Sequence, residues 1–370
     1  MNQDRKRVED TDKAIGDVFT GIFMHRVQDV DPKIRESTVS YFADLAVDYT
    51  EFFFQEKYLQ HFITCAEDKD SRVRGAAIRG IAKIYGTLDD GSELDSIETF
   101  HDRFCEVVED LFKDSAAGMT SALLALCAQL DKMDKLPEEF FDAMISEVLL
   151  RDGVGVAIQR KAAQMVMQYV DDLNGANKLQ QLEAFAEFCA KQTTRGTVGN
   201  CDALVAAFFD VVPVLQDAAP IVTKILENSD SESESKQAVL LRILYASAKH
   251  ARSVYDKDKT AKAKKAKFQN ILSTFTLATM GSYDKLVTKF VATDPQFALN
   301  ILELPQLMVA SVFSSKGAAF KRMCQHLQSS YMQLTGGAEL RQVAASISAL
   351  AKACVDTVRC HSLSLCALLI

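Results

Sequence analysis

The chain has few of the features that would announce chemistry. Its longest unbroken apolar runs, such as Leu204 to Phe209, fall far short of the roughly 18 residues a membrane span needs, so no membrane partner is expected. The polar start Met1-Asn2-Gln3-Asp4-Arg5-Lys6-Arg7 lacks the apolar core of a secretory signal. No Asn-x-Ser/Thr acceptor occurs, and the nine cysteines are odd in number and scattered. A reducing compartment, nucleus or cytosol, is the expectation. No glycine-rich phosphate loop is present, and the aspartate–glycine stretch at Asp89-Asp90-Gly91 lacks the spaced ligands of a calcium loop. The six histidines, His25, His61, His101, His250, His326 and His361, never pair at a spacing that would set two imidazoles on one helix face. Cys354, Cys360 and Cys366 advance in six-residue steps, about 240° each on a helix. They cannot all face one metal while the helix continues, and they read as buried, inert thiols. A serine or cysteine nucleophile would need a base and an orienting group, which nothing local supplies. The expectation is a non-enzyme with no cofactor and no metal.

What is present is helical punctuation. Only six prolines occur, and most stand where a helix could begin: Asp31-Pro32, Leu136-Pro137, Ala219-Pro220, Asp294-Pro295 and Leu304-Pro305. The first pairs an N-cap aspartate with proline at the first helical position. From Ile34 the spacing selects Ser37, Thr38, Tyr41, Phe42 and Leu45 as a buried stripe, and a phenylalanine-rich helix start follows at Glu51. From Val73 it selects Ala76, Ala77, Gly80, Ile81 and Ile84, with Arg72, Arg79 and Lys83 on the far side. Small residues there would let a neighbouring helix approach closely. Further helices are predicted over Ser92–Lys113, Ala116–Met133, Glu138–Leu150, Val156–Leu173, Lys178–Lys191, Asp202–Gln216, Ile221–Glu227, Glu234–Val254, Lys262–Ala292, 296–302, 306–313, 317–334 and 338–358.

A chain of 370 residues, 48% hydrophobic, exceeds the roughly 250–300 residues at which single cores stop growing. It is therefore two domains or an elongated stack. Antiparallel helix pairs with short acidic or glycine-containing turns, at roughly the 40–47-residue spacing of HEAT or armadillo arrays, predict an all-α, HEAT-repeat-like α-solenoid. The repeat rests on periodicity, not on a recurring motif. Three segments are expected: 1–114, a degenerate 115–228, and 229–370 with an acidic loop (229–235) and a basic loop (256–267).

Charge narrows the partners. With 42 lysines and arginines against 50 acids the net charge is −8, so nucleic acid can be met only by a local patch. The lysines at 257, 259, 262, 264, 265 and 267 form such a patch, able to neutralise phosphates, although a solvated helix start has the same composition. Serines 229, 231, 233 and 235 alternate with acids, a context in which phosphorylation would deepen the negative charge of what otherwise reads as an acidic linker.

Ile22-Phe23-Met24-His25-Arg26, then Asp29 and Ile34-Arg35, resemble the opening of the stromalin conservative domain of the cohesin subunits called Scc3 in yeasts and SA or STAG in animals. The likeness continues through Phe53, Tyr58-Leu59, the acidic turn Asp68-Lys69, Val73-Arg74 and Arg103-Phe104. It returns at Leu240–Arg252 and in the segment from Asn300 to Leu307, and is diffuse between about 115 and 230. The resemblance implies a nuclear, chromosome-associated HEAT-repeat scaffold that binds the kleisin subunit (Scc1/Rad21-like), and through it the SMC cohesin ring, and touches duplex DNA. It also implies a surface that receives short aromatic motifs of regulators.

That docking surface is where the chain departs. Arg26 keeps its place, but the family's tyrosine and arginine after it are Val27 and Gln28 here, and its tryptophan is Thr64; Arg103 and Phe104 are retained. Losing flat apolar rings weakens desolvation of an aromatic anchor, so weakened docking is expected. The lysine run falls where the family carries a basic loop before a long helix, which marks Lys262, Lys264, Lys265 and Lys267 for DNA. Family chains are longer at both ends, and the apolar end Ser362 to Ile370 fits a truncated end or a helix covered by a partner. The alternatives are a condensin-type HEAT subunit and a HEAT-repeat transport or adaptor protein without DNA affinity.

Overall fold

The computed structural model describes residues 2–88, 97–114, 116–170, 173, 177–194, 200–227, 233–257, 262–290, 295–334 and 336–358, and the Asp89-Asp90-Gly91 stretch, Cys360, Cys366 and His361 lie outside them. Among the described residues every regular element is helical. The chain divides into two compact units, Met1–Val166 and Met167–Ile370, which part within the segment 115–228.

In the first unit α1 (Asn2–Val18) leads through a π turn, Phe19–Phe23, to α2 (Pro32–Asp48), α3 (Glu56–Ala66), α4 (Ser71–Tyr85), α5 (Glu98–Leu111), α6 (Ala117–Lys132), α7 (Glu138–Met144) and all but the last turn of α8 (Val156–Tyr169). Alternate helices stack: α2, α4 and α6 form one layer, and α3, α5 and α7 the other. The second unit contains α9 (Lys178–Thr194), α10 (Asn200–Phe208), α11 (Ala218–Leu226), α12 (Ser233–Lys257), α13 (Lys262–Phe290), α14 (Pro295–Glu303), α15 (Gly317–Gln333) and α16 (Gly337–Val358). Here α10, α12, α14 and α16 make one layer, with α9, α11, α13 and α15 behind. This is the HEAT-like, all-α order the sequence predicts.

Local chemistry sets the helix starts. The Asp31 carboxylate accepts the Lys33 N–H at 2.9 Å with Pro32 in the first turn, and Asp70 caps α4 through the Arg72 N–H at 3.0 Å. The α4 stripe is buried as expected, and at Gly80 a methyl group would stand 2.8 Å from Phe62 and 2.9 Å from Ala43. That missing side chain is what lets α2, α3 and α4 meet.

The stripe expected on α2 is displaced by one residue. Arg35, Thr38, Val39, Phe42, Ala43 and Ala46 face inward, while Ile34, Ser37 and Tyr41 are exposed. Arg35 can be inside because its guanidinium is fully engaged. Nε and Nη2 donate to both Asp68 oxygens at 2.7 Å, and Nη1 donates to the Asp29 carbonyl at 2.8 Å. One repeat on, Arg74 holds Asp114 and donates to the Asp68 carbonyl at 2.7 Å. Asp-x-Asp-x-x-x-Arg, at 29–35 and again at 68–74, is thus a repeated structural motif. It corrects the reading that no motif recurs.

Other departures have local causes. The Phe-rich segment forms its own turn, Thr50–Phe53, which delivers Phe53 to a cluster with Phe19, Phe42 and Tyr58, and α3 starts afresh at Glu56. The helix expected over 202–216 stops at Phe208, because Pro213 has no N–H to continue it, and resumes as a 3₁₀ turn, Pro213–Gln216. The helix expected over 306–313 is replaced by two 3₁₀ segments, Leu304–Leu307 and Ala310–Lys316, the first opening on Pro305. The polar helix α1 went unanticipated because it has little buried face.

Candidate partner and DNA interfaces

The residues marked for regulator docking sit on the first unit. After the π turn, Arg26 is exposed and donates to the Asp29 carboxylate at 2.8 Å. The Asp31 N–H and then Arg26 hold that carboxyl below its ordinary range. Val27 is half-buried and Gln28 exposed. Arg35 ties this turn to Asp68, just past the end of α3, so 26–28 stand at the end of α3 that carries Thr64. Thr64 is exposed, its hydroxyl donating to the Gln60 carbonyl at 3.3 Å. Arg103 lies elsewhere: it pairs with Glu56 at 3.0 Å on the first turn of α3, two turns and about 12 Å along the axis from Thr64.

Phe104 has no exposed surface and stacks on Phe100 at a centroid distance of 6.0 Å. It supports the helix that presents Arg103, and a ligand could not touch it. Tyr58 and Phe62 also point inward. The outward residues of α3, Glu56, Lys57 and Thr64, offer no ring.

The DNA-marked lysines open α13 in the second unit. Lys262, Lys264, Lys265 and Lys267 are all exposed, and the first turn contains no acid. Cations at a helix N-terminus oppose the macrodipole, which favours anions there. Lys265 Nζ lies 5.0 Å above the Tyr255 ring, which Arg252 also approaches at 5.8 Å. Lys267 reaches Asp210 at 3.4 Å, beside the buried Phe268. Lys257 closes α12, while Lys259 lies outside the described residues. The Arg252–Tyr255 mount was missed in the sequence, where its only trace is the i, i+3 spacing on the preceding helix.

The two units differ in charge. Residues 1–166 carry 20 lysines and arginines against 32 acids, net −12, whereas 167–370 carry 22 against 18, net +4. The acidic total of the chain therefore conceals a basic half.

His61, His101 and His250 are half-buried and Cys65 and Cys127 buried, whereas His25 is exposed. His101 Nδ1 lies 2.8 Å from the Tyr85 hydroxyl, and His250 stacks on Phe209 at 4.8 Å. Burial lowers the pKa of His61, His101 and His250, and raises the Cys65 and Cys127 thiols to about 12. Among the described residues no three metal-ligating side chains converge, and no helix is long and apolar enough to cross a membrane.

Known proteins fit this geometry. The stromalin conservative domain model matches residues 28–105, and the HEAT-repeats domain model of the cohesin subunit SCC3/SA matches 204–369. Sister-chromatid cohesion protein 3 of Arabidopsis thaliana is 23% identical over 323 residues, covering 81% of this chain and 28% of the plant protein. Human cohesin subunit SA-3 is 25% identical over 124 residues, 33% of this chain and 10% of its own. The solved cohesin subunit Scc3 from Z. rouxii superposes with a TM-score of 0.63 at 14% identity, over 97% of this chain and 43% of that one, which shows a shared fold. The chain thus spans about a quarter of its plant relative. Two models of one family, together matching more than half of the sequence, place the chain in the Scc3/SA family of cohesin subunits.

Proposed function

We propose that this chain is a non-catalytic, nuclear scaffold of the cohesin complex, binding a kleisin segment and, through the second unit, duplex DNA. The observation that carries the DNA reading is the basic start of α13: four lysines where the helix dipole is already positive, in the half of the chain with net charge +4. Phosphates would relieve that repulsion, and release of their counterions would supply affinity.

Replacing Lys262, Lys264, Lys265 and Lys267 together by glutamine tests it. The slope of log affinity against log salt should fall by about 2–4, since each phosphate contact contributes about 0.9. An unchanged slope would reject the assignment. Kleisin binding is tested separately, by co-purification with a kleisin fragment. Regulator docking at Arg26, Val27, Gln28, Thr64 and Arg103 is proposed to be weak, for want of an exposed aromatic wall.

A further inference from the structure

Two of the lysines that open α13 are held in different ways. Lys267 lies 3.4 Å from the Asp210 carboxylate, so a phosphate must displace that acid to reach it. Lys265 is held by a ring instead. Its Nζ lies 5.0 Å from the centroid of Tyr255, in the last turn of α12, and among the described residues no carboxylate pairs with it. An ammonium over an aromatic face is attracted by the ring quadrupole and keeps its N–H donors for another acceptor.

The ring has a fixed neighbour of its own. Arg252, one turn earlier on α12, approaches Tyr255 at 5.8 Å. Its guanidinium is tied down twice, Nε donating to the Asp256 carboxylate at 3.0 Å and Nη1 to the Met308 carbonyl at 3.4 Å. Tyr255 itself is half-buried, so the ring is both supported and within reach of the exposed Lys265.

We propose that Tyr255 is a positioning residue for the DNA surface: its ring orders Lys265 in advance of DNA without neutralising it. The inference rests on the DNA reading above and adds to it a residue that carries no charge. A free lysine gives up rotamer freedom when it meets a phosphate, and a side chain already held gives up less. A cation–π contact at an exposed site is strong enough to raise the fraction of chains with Lys265 in place by about two- to fivefold, and apparent affinity scales with that fraction.

The test follows binding of the full chain to a fluorescent duplex by anisotropy at several salt concentrations. Tyr255→Leu should weaken binding by about two- to fivefold at every salt concentration. The slope of log affinity against log salt should stay the same, because every lysine that meets a phosphate is still present. Lys265→Gln removes a contact and should lower that slope by about 0.9. In the Lys265→Gln background Tyr255→Leu should have no further effect, an outcome that general damage to the fold would not produce. Should Tyr255→Leu misfold, pentafluorophenylalanine in place of Tyr255 keeps the shape of the ring, strips its face of negative charge and should give the same loss. Unchanged or tighter binding by Tyr255→Leu, or an undiminished effect of it in the Lys265→Gln background, would overturn the proposal and leave the DNA reading standing. A salt slope unmoved by the fourfold lysine variant would remove both.

Discussion

Asp68→Ala should be among the most damaging single changes outside the apolar core of the first unit. In the native chain Asp68 accepts two 2.7 Å bonds from Arg35 and the Asp70 N–H at 2.8 Å, and the paired side chains are only 14% and 6% exposed. Truncation leaves a nearly buried guanidinium without a counter-ion and the turn before α4 without its acceptor. Removing one partner of a buried pair costs about 3–5 kcal/mol, and the residual exposure of Asp68 argues for the lower end. At about 2–4 °C per kcal/mol for a unit of this size, the first unfolding transition of the full chain should fall by about 6–12 °C in differential scanning calorimetry. Arg72→Ala, which breaks the half-exposed bridge to Asp70, should move it by no more than about 4 °C. The double variant Arg35→Met with Asp68→Leu replaces both charges by apolar groups and should regain most of the loss. A shift below about 2 °C for Asp68→Ala, or a double variant no better than the single one, would refute the reasoning.

Gly80→Ala gains about 1 kcal/mol of helix propensity but drives a methyl group into Phe62 and Ala43; overpacking of about 1–3 kcal/mol should win and lower the transition. Gly281→Ala, with open space around it, should raise stability in the same scans. His101 should titrate below its ordinary value in an NMR pH series because burial opposes its charge. A lowered folded pKa means that the unfolded chain takes up the proton more readily, so stability is held above the ordinary histidine range and lost as pH falls below it, a loss that His101→Phe should shrink. Thr64→Trp combined with Val27→Tyr and Gln28→Arg should tighten binding of a phenylalanine-containing regulator peptide by at least about tenfold in a titration; unchanged affinity would remove these positions from the docking site.

The fold was legible where one periodicity dominates. Val73 to Ile84 declares its buried face through small and apolar residues, and the structure buries each of them. The α2 stripe was misread because burial there turns on an ion pair 33 residues away: a pattern search scores Arg35 as a surface residue, while the fold completes its charge with Asp68. Proline explains the broken helices at 213 and 305, where the missing N–H outweighed an otherwise helical pattern. The lysine run was visible as composition, but its mounting on Tyr255 was not, since cation–π contact depends on how α12 and α13 pack. Phe104 shows the converse: an aromatic residue at a docking position in sequence is a core residue in space.

These cases explain how the family likeness can be strong in the scaffold and faint at the surface. Asp-x-Asp-x-x-x-Arg performs three tasks in each repeat: it caps a helix, pairs with the previous or next turn, and saturates backbone carbonyls. Removing Arg35 or Asp68 leaves a nearly buried group unsatisfied, at a cost of several kcal/mol, whereas the exposed cap at Asp31 is worth about 1 kcal/mol. Val27, Gln28 and Thr64 carry no such duty. Val27 is half-buried and Gln28 and Thr64 are exposed, so the stack depends less on which side chains stand there.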